Sequence, residues 1–191
     1  MAMEDQRYGR DKSTLINKKY IEGGEFRRKF DSVVDDTKIA RVLFDVSKNM
    51  LTHRSGTRTE DMYWIDGDTG EIVAKITDQS TEIEQEIVYT ESVKKAIEGR
   101  KNLITLHTHP SSMPPSVEDF NAYFQNEYSI SLVICHDGTI YQYQCFQRIS
   151  IELFDLYMRR YIEEGYDDKD AQIKALTAMK RSYDFDFWEV L

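Results

Sequence analysis

Three side chains able to bind a metal ion, His107, His109 and Asp119, fall within thirteen consecutive residues. The two histidines are separated by one residue, so in an extended backbone their imidazoles point to the same face. Ser116 and Asp119 are three apart at the start of a helical pattern and are neighbours on its surface. Two histidines and one carboxylate form a common catalytic zinc set that leaves a fourth position for water. An ion so held lowers the pKa of that water to about 7. All three prolines of the chain, Pro110, Pro114 and Pro115, lie in the connecting loop. Each fixes φ and stiffens the loop, which helps hold ligands in a required geometry. Each piece also has a plainer explanation. A His-x-His pair can be ordinary core or surface histidine, and Ser116-x-x-Asp119 is also the pattern of a helix capping box.

The surrounding elements must position these groups. Leu103-Ile104-Thr105-Leu106 is a compact apolar run that predicts a central strand leading straight into His107. Ser116 to Gln125 predicts a helix carrying Asp119. Upstream, Ile39, Leu43, Val46 and Met50 recur at helical spacing after Asp35-Asp36, where an aspartate is a good N-cap. This helix fades through Thr52-His53-Arg54. Met62–Ile65 and Ile72–Ala74 predict a hairpin around Asp66–Gly70. Ile83, Ile87, Val88 and Tyr89 suggest a further strand, followed by a short helix from Glu91 to Glu98 that Gly99 stops. Ile130–Phe146 predicts a hairpin. A helix from Ser150 has Ile151, Phe154, Met158, Tyr161 and Ile162 as its apolar face and ends at Gly165. A last helix, Asp168 to Arg181, precedes an aromatic tail, Tyr183 to Trp188, expected to serve as a packing segment. Strands and helices alternate, so the expected class is α/β or α+β with a mixed sheet. Residues 1–34 read as an arm or short helical lead-in, 35–149 as the core, and 150–191 as a C-terminal helical extension.

With 191 residues, the chain is long enough for one domain or one domain with an appendage. A hydrophobic share of 40% supports a packed core. The net charge of −9 and the lack of an extended basic patch argue against nucleic-acid backbone binding. No apolar run approaches the roughly 20 residues of a membrane helix, and the N-terminus has no apolar signal region. Reading Asp137-Gly138 as a two-residue type I′ turn puts Cys135 opposite Ile140 and Cys145 opposite Ile130. The two thiols are then out of register, free and reduced, which suits a cytoplasmic protein. His136, beside that turn, is expected to be exposed. His53 is expected to be structural.

Several chemistries are excluded by pattern. No HExxH is present, nor a Pro-Cys-x-x-Cys after the His-x-His, a P-loop or a GxSxG. Both cysteines read as interior strand residues, which removes a cysteine nucleophile.

The string His107-x-His109-Pro110 followed by Ser116-x-x-Asp119 closely resembles the signature of the JAMM metalloproteases, also called MPN+ or JAB domains. The wording HTHPSSMPPS is nearer to bacterial and phage members than to eukaryotic deubiquitinases. The resemblance covers about residues 36–148 and implies an MPN/JAB-like curved mixed sheet flanked by helices. It implies Zn2+ held by His107, His109 and Asp119. It also implies Glu60, upstream at the head of a strand, as the general base and then acid, and Ser116 as hydrogen-bond donor to the oxyanion. Glu71, Glu82, Glu84 and Glu86 are nearby alternatives for the base. The implied reaction is hydrolysis of a peptide or isopeptide bond in a protein substrate, a tag or a tail. Six residues separate His109 from Ser116, where the family usually has seven. Two other functions go with the resemblance: a non-catalytic MPN-type scaffold or binding module, and a RadC-like role in DNA processing, against which the acidic balance counts. The C-terminal helices could support a homodimer or a larger assembly.

Overall fold

The computed structural model describes residues 11–77 and 87–191. A 3-10 turn at Lys12–Thr14 is followed by α1 (Lys18–Ile21), α2 (Gly24–Asp31) and α3 (Thr37–Arg54). Then come β1 (Met62–Asp66), β2 (Ile72–Ile76), α4 (Glu91–Ile97), β3 (Leu103–His109) and α5 (Val117–Asn126). The hairpin strands β4 (Ile130–Cys135) and β5 (Ile140–Cys145) precede α6 (Ile151–Glu163), α7 (Asp168–Met179) and β6 (Phe185–Glu189). The class is mixed α+β. One six-stranded sheet runs β2-β1-β3-β4-β5-β6, with β3 and β4 parallel and the other neighbours antiparallel.

β3 is the central strand that its apolar run predicts, and all seven of its residues are buried. Alternation along it divides the core into two layers. Ile104 and Leu106 face α2 and α3, where Phe26, Phe30, Leu43 and Met50 are almost fully buried. Leu103 and the strand neighbours Trp64, Val133 and Tyr143 pack with α4, α5 and α7. The imidazoles of β3 lie in this second layer, with His107 edge-on to Tyr143. α3 forms as its spacing predicts. Asp36 caps it through the Lys38 and Ile39 amides, and Ile39, Leu43, Val46 and Met50 are all buried. No helix among the described residues is long and apolar enough to cross a membrane.

Five expectations need correction. The β4–β5 turn has three loop residues, His136-Asp137-Gly138, because Cys135 N–H donates to Thr139 O and Gly138 N–H donates to Cys135 O. Ile134 therefore faces Ile140, not Cys135. Gly138 sits at φ +90, and a Cβ there would collide with the Tyr20 ring of α1. Both cysteines remain free and buried. Ile87–Tyr89 form no strand; Tyr89 instead packs edge-on against Trp64. Ile83 lies outside the described residues. In α6 no residue is fully buried, and Ile151 and Ile162 are exposed; Leu153, Phe154 and Tyr157 make its inward contacts. The aromatic tail is an edge strand, β6, so the C-terminal part is not purely helical. His136 is buried, because Thr14 O lies 2.7 Å from its Nδ1.

Candidate metal centre

The β1–β3 register brings the site together. Met62 lies opposite His107, and Asp61 continues the ladder by accepting the Thr108 N–H at 3.0 Å. The next step in that register sets Glu60 opposite His109. Cross-strand partners share a face, so Glu60 joins His107 and His109 on one side of the sheet. Its Oε1 lies 4.0 Å from His109 Nε2, and its side chain is almost entirely buried. Glu71, by contrast, is exposed in the β1–β2 connection. Glu82, Glu84 and Glu86 lie outside the described residues.

The two imidazoles converge as their spacing predicts, with Nε2 atoms 3.1 Å apart. Asp119 closes the group. Its Oδ1 is 3.2 Å from His107 Nε2 and its Oδ2 is 3.6 Å from His109 Nε2. Around a tetrahedral zinc with bonds of about 2.0–2.2 Å, neighbouring ligand atoms lie roughly 3.3–3.6 Å apart. The observed separations are close to that range, so these donors fit a metal ion. Glu60, His107 and His109 also place donor atoms within 4.8 Å of one another and could hold one.

Local structure aims each donor. His109 Nδ1 donates to Met113 O at 3.0 Å, which leaves Nε2 with its lone pair free for a metal. Met113 belongs to the proline-stiffened loop, and Gln172 of α7 holds that loop by donating to Pro114 O and Pro115 O, each at 3.0 Å. Ser116 and Asp119 do form the capping box: Ser116 Oγ accepts the Asp119 N–H, and Asp119 Oδ2 accepts the Ser116 N–H at 2.7 Å. The plainer explanation of this pair, a helix cap, therefore holds. The cap fixes the carboxylate while Oδ1 still faces His107. The six-residue loop does not pull Asp119 away. Among the described residues, His107 Nδ1 is buried with no hydrogen-bond partner.

The charges are strongly coupled. Burial pushes the Glu60 carboxyl up from the usual range, against the pull of the two imidazoles. Burial would also raise Asp119, but His107 and His109 outweigh it and hold that carboxyl well below its usual value. At His109 burial opposes charging, yet Glu60 and Asp119 prevail and push its pKa up to about 9. The Cys135 thiol, raised by burial, is a poor nucleophile.

Sequence reasoning missed the groups on the other side of the sheet. Asp61 is buried and accepts from Arg54 Nε at 2.6 Å, with His53 Nδ1 2.7 Å from its other oxygen. Asp61 N–H donates to Thr108 Oγ1 at 2.9 Å. The available signal was alternation: Thr108 lies between two ligands and must face away from them.

A cleft of about 450 Å³ opens beside the His109-Pro110 turn, lined by Thr14, Leu15, Arg58, Pro110 and Ser111 among others. A larger one, about 770 Å³, lies at the far end of β3 around Leu103 and Tyr128 and contains no imidazole. The smaller cleft borders the loop that follows His109, and none of Glu60, His107, His109, Ser116 and Asp119 lines it. Comparison with family models, curated proteins and solved structures returns no match for this chain.

Proposed function

We propose that this protein is a JAMM-type zinc hydrolase that cleaves a peptide or isopeptide bond. One observation carries the proposal: two buried imidazole nitrogens 3.1 Å apart, closed by Asp119 at 3.2 and 3.6 Å, with a second buried carboxylate 4.0 Å from His109. The element order agrees with the family's: helix, glutamate-bearing strand head, hairpin, short helix, strand with His-x-His-Pro, capped helix, final hairpin.

In this reading His107, His109 and Asp119 hold zinc, because Asp119 lies 3.2 and 3.6 Å from the two imidazole nitrogens, closer than Glu60 at 4.0 Å from His109. When bound, zinc supplies a Lewis acid for the substrate carbonyl and a water of depressed pKa. Glu60 takes a proton from the attacking water and returns it to the leaving amine. Its burial makes it a stronger base than an exposed glutamate, which suits that exchange. Ser116 Oγ accepts from Asp119 N–H and keeps its own O–H to donate to the developing oxyanion. The Met113 carbonyl holds the His109 tautomer. In this reading the substrate is a protein tag or tail.

Metal analysis of the purified protein, coupled to hydrolysis assays on peptide and isopeptide-linked substrates, tests this. The expected result is about one zinc per chain, lost in His107→Ala, with hydrolysis that a chelator abolishes. A protein that takes up no zinc would instead be a scaffold module.

A further inference from the structure

We infer that Arg54 is a positioning residue for Glu60, acting through Asp61 from the opposite face of the sheet; the inference rests on the metal-centre reading above. Glu60 precedes the hydrogen-bonded run of β1, in a connection that could adopt many conformations. What fixes it is on the reverse side. Arg54, at the last position of α3, is buried, and its guanidinium makes three hydrogen bonds, two of them to that connection. Nε donates to Asp61 Oδ1 at 2.6 Å, one terminal nitrogen to Thr59 Oγ1 at 2.9 Å, and the other to Thr77 O at 2.6 Å. Residues 59 and 61 are thus both gripped, and Glu60 lies between them.

Asp61 is the pivot. Its side chain is 1% exposed and is shared with His53, while its amide and carbonyl both bond Thr108. Thr108 is the residue between the two histidines. Alternation does the rest: once Asp61 and Thr108 are locked together facing α3, Glu60 must project to the side of His107 and His109. A planar guanidinium presents several donors in a fixed fork, so it can hold one geometry that a lysine ammonium cannot. Arg54 touches none of the candidate ligands and is not a catalytic residue.

Cobalt(II) alone is the probe, since it takes nitrogen and oxygen sites like those of zinc and its visible absorption reports the ligand environment. The full chain is titrated with cobalt as wild type, Glu60→Gln, Arg54→Met, Arg54→Lys and the Glu60→Gln/Arg54→Met double variant. Glu60→Gln defines the spectral and affinity change that follows loss of the Glu60 charge. Arg54→Met is expected to reproduce that change to within about twofold, the double variant to add nothing further, and Arg54→Lys to lie between wild type and Arg54→Met. A folded Arg54→Met protein with the wild-type spectrum and affinity, or effects that simply add in the double variant, would overturn the inference. Should Arg54→Met fail to fold, Arg54→Lys decides alone: an intermediate spectrum supports the inference and a wild-type spectrum refutes it. Wild-type protein that takes up no cobalt would overturn the metal-centre reading and this inference with it, whereas normal uptake without Arg54 dependence removes this inference only.

Discussion

The two faces of the sheet are built from different materials. The reverse face, under α2 and α3, is an apolar layer in which Phe26, Phe30, Leu43, Leu106 and Leu132 are each 0% exposed. The buried charge pair on this face, Arg54 with Asp61, is satisfied by short hydrogen bonds. The site face carries hydroxyls and imidazoles among its apolar groups. Thr105 bonds Ser131 at 2.6 Å, Trp64 donates to Tyr128, and Tyr89 bonds the same hydroxyl. Against this layer lie four ionisable groups, Glu60, His107, His109 and Asp119. The difference implies a division of labour. The reverse face contributes folding stability through apolar burial, and the site face holds polar and ionisable groups whose convergence suits a metal ion.

Phe30→Ala breaks the comparison from the stable side. Phe30 is fully buried in the apolar cluster, edge-on to Phe26 at 5.3 Å and with Phe44 at 6.1 Å. The expected loss is about 3–5 kcal/mol in chemical denaturation. Zinc stoichiometry of the folded fraction should not change. A loss below about 1 kcal/mol would show that the apolar layer is not where stability resides. Glu60→Gln is the counterpart on the site face: hydrolysis should fall about 10²–10⁴-fold while zinc remains bound and the denaturation midpoint moves little. Undiminished hydrolysis would move the base to another residue.

The pH response should separate the faces as well. In the metal-free protein His109 is charged up to about 9, above its ordinary value of 6.5. Its folded pKa is raised, so it contributes stability that is complete below about 6.5 and is lost as pH rises through about 9. Metal binding needs the neutral ring and therefore expels that proton. Between about pH 7 and 9, zinc affinity should climb roughly tenfold per unit, then flatten. Calorimetry in buffers of different ionisation enthalpy would count the released proton. Zinc binding that is flat with pH across this window would show that His109 is not a ligand.

Much of this was legible locally. The four-three-four spacing of Ile39, Leu43, Val46 and Met50 is a helix face and is buried as one. The apolar run before His107 could only be a central strand, and His-x-His on such a strand had to converge. What escaped was decided by residues far away in the chain. His136 reads as exposed beside a turn until the carbonyl of Thr14 covers it. The hairpin turn uses Gly138, whose backbone is left-handed and whose missing Cβ leaves room for Tyr20. Ile87–Tyr89 have strand-forming side chains, but Tyr89 is used to cover Trp64 rather than to extend the sheet. The Phe185, Phe187 alternation was a strand signal, masked by its aspartates, which an edge strand accommodates. Arg54 carries no motif at all. Its importance arises only when α3 is laid against the head of β1.

The smallest expected effect concerns Ser116, where folding and chemistry share one hydroxyl. Ser116→Ala removes the cap of α5, which costs about 1 kcal/mol of stability. The backbone half of the capping box survives, since Asp119 Oδ2 still accepts the residue-116 amide. Asp119 should therefore keep its orientation toward His107, and zinc affinity should change by less than about tenfold. If the hydroxyl also donates to the oxyanion, hydrolysis falls by about 10²–10³, far more than the stability loss can explain. Measuring both on the same preparation separates the roles. A drop in activity no larger than the loss of folded protein would leave Ser116 as a helix cap and nothing more.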